Sequence, residues 1–98
     1  MSTSCWKQFE RDAAQVFGGR RHWANSGGRV DFTGHVNGQS VAGSCKLVRV
    51  LSLEQMTQLL EEAGVDVLCV KRRRGAGCPS PMLIVFTAES YRRLHPRA

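Results

Sequence analysis

The stretch Arg29-Val30-Asp31-Phe32-Thr33-Gly34-His35-Val36-Asn37-Gly38-Gln39-Ser40-Val41-Ala42-Gly43-Ser44-Cys45-Lys46 decides the fold. Asn37-Gly38 separates two strand-like runs, Arg29 to Val36 and Gln39 to Val50. Asn-Gly between such runs is the strongest short-range hairpin signal. A two-residue turn sets the register: Val36 faces Gln39 and, counting outward, Asp31 faces Ser44. Lys46 lies two residues beyond Ser44, so it shares that sheet face and is a diagonal neighbour of Asp31. The hairpin is therefore expected to gather Asp31, Ser44 and Lys46 on one face, unless a bulge shifts the register.

Working outward, a helix is expected from about Ser4 to Phe17, with Trp6, Phe9, Ala13, Val16 and Phe17 at helical spacing. Ser4 caps its start and Gly18-Gly19 ends it. A short extended piece around Arg21 to Trp23 and a polar loop, Asn25-Ser26-Gly27-Gly28, lead into the hairpin. A second helix is expected from Ser52 to Ala63, opened by a Ser52/Gln55 capping box and closed by Gly64. Leu53, Met56, Leu59, Leu60 and Ala63 form its apolar face, while Glu54, Glu61 and Glu62 read as solvated. Val65 to Val70 is a nearly continuous apolar run, as in a strand buried on both faces. Lys71 to Pro81 reads as a basic loop, Met82 to Phe86 as another buried strand, and Thr87 as the cap of a short helix carrying Tyr91 and Leu94. The order αβββαββα describes an α/β fold, a mixed β-sheet flanked by helices.

The chain has 98 residues, which fits one domain spanning 1–98. Hydrophobic residues make up 42% of it, which argues for a globular protein rather than a disordered one. No apolar run is long enough to span a membrane and no signal core opens the chain, so a cytoplasmic protein with no membrane partner is expected. Fourteen Lys+Arg against eight Asp+Glu give a net charge of +6, which favours a polyanionic partner, nucleic acid first. Cys5, Cys45, Cys69 and Cys78 form no CxxC pair, and Cys69 lies in the apolar run as a small core residue.

Carboxylates beside a lysine on one sheet face suit metal-dependent phosphodiester hydrolysis, because acids hold Mg²⁺ and the cation polarises the phosphate. For Asp31 and Lys46 alone, a turn cap and a solvated strand residue are the better reading. Glu10 tips the balance, because it falls among Trp6, Ala13, Ala14 and Phe17 on the apolar face of the first helix. A carboxylate there needs a compensating cation, either a metal or an arginine such as Arg20 or Arg21.

Glu10, Ser26, Val30-Asp31 and Ser44-Cys45-Lys46, on a helix, a polar loop and a strand–turn–strand, resemble the PD-(D/E)xK nucleases. Within these, the chain is most similar to the archaeal-type Holliday junction resolvases and their phage relatives, from about Trp6 to Leu94. The resemblance implies a restriction-endonuclease-like fold and a Mg²⁺- or Mn²⁺-dependent endonuclease that resolves four-way DNA junctions as a homodimer, with no small-molecule substrate. It implies metal contacts from Glu10, Asp31 and Cys45, a catalytic lysine at Lys46, and Ser26 near the scissile phosphate. Val30 replaces the family's proline. Ser44 stands where the motif carries an acid, and a neutral serine cannot supply the charge a hard dication prefers. An inactive or weakened enzyme is therefore expected: an engineered variant or a natural pseudo-nuclease, ahead of an acid recruited from elsewhere. The alternatives are a non-catalytic junction-binding protein on the same fold and another PD-(D/E)xK nuclease. Arg20, Arg21 and Arg29 beside the Ser26 loop, and the cluster Lys71-Arg72-Arg73-Arg74, are the candidate DNA contacts. His22 and Trp23 could stack on unpaired bases.

Overall fold

The structure, a computed structural model, describes residues 3–21, 30–72 and 81–95, with side chains from Lys7 onward. Its elements are α1 (Thr3–Val16), β1 (Arg20–Arg21), β2 (Phe32–Val36), β3 (Gln39–Val48), α2 (Leu53–Ala63), β4 (Val67–Arg72), β5 (Met82–Phe86) and α3 (Ala88–Leu94). The five strands form one mixed sheet in the order β1-β2-β3-β4-β5. β1, β2 and β3 are antiparallel neighbours, β4 runs parallel to β3, and β5 returns antiparallel to β4. The parallel step needs a crossover, which α2 supplies.

Local chemistry accounts for the turns. Asn37 and Gly38 both have positive φ, 50° and 78°, the backbone that a two-residue hairpin turn requires and that Asn-Gly tolerates best. Val36 pairs with Gln39, and the expected register holds from there to Phe32 and Gly43. At the start of α2 the capping box is reciprocal. Gln55 N–H donates to Ser52 Oγ at 3.1 Å, and Ser52 N–H donates to Gln55 Oε1 at 2.9 Å. Gly64 then ends the helix in the left-handed region with φ 63°.

Helices cover both sheet faces. On one face Phe9, Ala13, Ala14 and Phe17 of α1 and Leu94 of α3 pack on Phe32, Val41, Cys45, Val67 and Cys69. On the other, Leu60 and its neighbours Met56, Leu59 and Ala63 of α2 pack on Ala42, Leu68, Val70 and Val85. The strand alternation of β3 and β4 divides the two sets. α3 is tied to the hairpin tip: Asn37 Nδ2 donates to Leu94 O at 2.8 Å, and Gln39 Nε2 to Arg93 O at 2.9 Å. Arg93 also pairs with Asp66 at 2.6 Å. The tip end of the sheet is therefore occupied by structural contacts, and the candidate residues lie at the other end.

Four expectations are corrected. β4 continues through Lys71 and Arg72, which are held in register with Leu47 and Val48, so they are strand residues rather than loop. β5 is the last strand of the described sheet and is only half-buried, with β4 its one described neighbour. Leu53 is 77% exposed and leaves the apolar face of α2, since it is the first residue of that helix. Regular pairing of β2 begins at Phe32, so Val30 and Asp31 precede the strand instead of lying within it. No described helix is long and apolar enough to cross a membrane.

Candidate functional site

Asp31 sits where the β2–β3 ladder stops. Extending the register would place it opposite Ser44, but its N–H donates to Gly43 O at 2.8 Å, and Gly43 is already the partner of Phe32. Two residues thus face one, in the manner of a β-bulge. The flanking side chains agree: Val30 packs with the α2 cluster and Phe32 with the α1 cluster, although an unbroken strand would put both on one face. The expected direct Asp31–Ser44 pair is not formed.

The slip gives the carboxylate a different task. Asp31 Oδ2 accepts the Cys45 N–H at 2.7 Å. That N–H points towards the β2 side of β3, past the end of β2, and an unpaired buried donor is costly. The carboxylate stands in for the missing strand acceptor through a charge-assisted bond.

Ser44 and Lys46 share a face, as expected, but it is the face covered by α2. Their parallel partners are Leu68 and Val70, both members of the α2 cluster. Ser44 is buried, 3% exposed, and Lys46 is half-buried. The Cys45 side chain lies on the α1 face, beside Cys69. Its thiol is pushed far above the ordinary range by a hydrogen bond with Cys69, by burial, and by the negative charges of Asp31 and Glu10.

Glu10 is 5% exposed on α1. Its compensating cation is Arg21, whose Nε lies 2.7 Å from Glu10 Oε1. Strand pairing selects Arg21 over Arg20. Arg21 pairs with Phe32, which faces α1, and Arg20 pairs with the exposed Thr33. Glu10 and Lys46 therefore stand on opposite sheet faces, with Asp31 at the edge between them. Replacing Arg21 by alanine strands a buried carboxylate and is expected to cost about 3 kcal/mol in urea unfolding. Adding Glu10→Gln should recover much of that loss. An Arg21→Ala protein as stable as the parent would show that the pair contributes nothing.

Asp31 and Glu10 each hold an internal partner, and Ser44 carries no charge. Among the described residues, no three His, Cys, Asp or Glu side chains gather as a metal group.

Lys71 joins the neighbourhood from β4. Its Nζ lies 5.5 Å from the Phe9 ring centroid, a cation–π contact on the α1 face. Continued alternation through Val70, Lys71 and Arg72 was the signal for this placement. Arg72, exposed on the α2 face, and Arg49 line the rim of a groove of about 280 Å³ floored by Met56, Val70 and Val85. Ser26, Arg29, Arg73 and Arg74, with His22 and Trp23, lie outside the described residues. Compared with protein-family models, curated proteins and solved structures, the chain matches none.

Proposed function

We propose that this chain is a cytoplasmic, homodimeric DNA-junction-binding protein on a resolvase-type, restriction-endonuclease-like scaffold. Its metal-dependent hydrolysis is weak or silent because Ser44 stands in for an acid. The observation that carries this reading is the Asp31 carboxylate, held at 2.7 Å by the Cys45 amide between Ser44 and Lys46. It brings the isolated aspartate to the middle of the Ser-Cys-Lys run, as a degraded D…(D/E)xK site requires. A buried Glu10 near the same edge, three antiparallel strands followed by a parallel fourth, and a net charge of +6 support it. Arg20, Arg49, Lys71 and Arg72 supply described cations for the phosphate backbone.

Fluorescence anisotropy with a four-way junction, a duplex and a flap of equal length tests the reading. The junction is expected to bind at least about tenfold more tightly than the duplex, with affinity falling steeply as salt rises. EDTA should leave that binding unchanged. Equal affinity for junction and duplex, or preference for the flap, would overturn the junction assignment.

A further inference from the structure

The two edges of the sheet are built differently. β1 is two residues long and both are arginines, a short and charged edge that discourages further pairing. β5 is Met82-Leu83-Ile84-Val85-Phe86, five strong apolar residues with no charge, proline or glycine. β4 pairs with one side of it, and no described strand lies beyond the other. Among the described residues nothing pairs with its outer side, and its Leu83 side chain is 60% exposed. An apolar edge of this kind is a template for another strand.

We propose that the outer edge of β5 pairs antiparallel with β5 of a second copy of this chain, joining two five-stranded sheets across a two-fold axis. This deepens the homodimer suggested above by naming its interface. A two-fold contact must be self-complementary, and β5 meets that condition. Centred on Ile84, the pairing sets Leu83 against the second copy's Val85 on the α2 face, and Met82 against its Phe86 on the α1 face. Every opposed pair is apolar, and no like charges meet. Leu83 already lines the groove floored by Met56, Val70 and Val85, so the second strand would close its open side. On the other face Tyr91, 53% exposed and edge-on to Phe86, would be covered as well.

Sedimentation equilibrium of the full chain, without DNA or metal, tests the inference. The parent is expected to dimerise. Leu83→Lys, at an exposed and therefore fold-neutral position, should raise the dimer dissociation constant at least about tenfold. Val16→Lys, an exposed change on α1 away from β5, should leave it unaltered. Hydrogen exchange at the β5 amides should slow as parent concentration rises. A parent that stays monomeric, a Leu83→Lys protein that dimerises equally well, or β5 amides indifferent to concentration would overturn the proposal. Because no nucleic acid is present, that failure is separable from a failure of junction binding.

Discussion

Ser44→Glu is expected to make this chain respond to divalent metal, which the parent should not do. Ser44 is 3% exposed and in register with Leu68 on the α2 face. A glutamate there must either give up its hydration or turn its carboxylate towards the open end of the ladder, where Asp31 lies. Without metal, the added charge sits partly buried near an existing carboxylate and should cost about 1–3 kcal/mol. With Mg²⁺ or Mn²⁺ the two acids share a cation, and binding to the folded state alone recovers stability by mass action. The thermal midpoint of the variant should therefore rise with metal concentration, while that of the parent stays put. Junction cleavage should exceed the parent's by at least about 100-fold, the scale of losing one key electrostatic group from a site. Adding Lys46→Ala should abolish the cleavage and spare the thermal shift. Ser44→Asp offers a smaller side chain if circular dichroism shows the glutamate protein unfolded. A folded variant that binds junctions but shows neither metal shift nor cleavage would remove the nuclease ancestry from the argument.

The hairpin register was legible because its cause is local: Asn37 and Gly38 accept positive φ, and the ladder counts outward from them. The capping box and Gly64 were legible for the same reason. The slip at Asp31 was not, because it depends on how Phe32, Gly43 and the end of the ladder settle against α1. Which face α1 covers was also hidden. Along β3 the odd positions read Val41, Gly43, Cys45, Leu47 and the even ones Ala42, Ser44, Lys46, Val48. Neither set is clearly the apolar one, so period-two alternation could not separate Glu10 from Lys46. Glu10's need for a cation followed from its position among apolar residues, but the choice of Arg21 came from strand pairing. Lys71 and Arg72 looked like loop because four consecutive cations suggest solvent, and parallel pairing with β3 overrode that composition.

Phe32→Ala should cost about 3–5 kcal/mol, a large share of the roughly 5–15 kcal/mol that holds a small domain together. Phe32 is fully buried, and its ring stacks on Phe17 with centroids 5.6 Å apart. The ring lies over Gly43, its pairing partner: a Cβ at Gly43 would come within 2.1 Å of Phe32 Cζ. Gly43→Ala is therefore expected to destabilise as well, by about 1–3 kcal/mol, because a ring pinned against Phe17 has nowhere to go. The two losses should not add. Once Phe32 is alanine, a methyl group at position 43 enters the vacated space instead of a ring, and the double variant should be more stable than the sum of the singles predicts. Additive losses in a urea-unfolding cycle would mean that Gly43 matters for some reason other than this contact. The same pair closes the β2–β3 ladder, and Asp31 follows directly. Displacing the ring should thus loosen the Asp31–Cys45 bond, so Gly43→Ala should speed exchange of the Cys45 amide more than that of Val41, deeper in the hairpin. If both amides respond alike, the aspartate is held by something other than the Phe32–Gly43 contact.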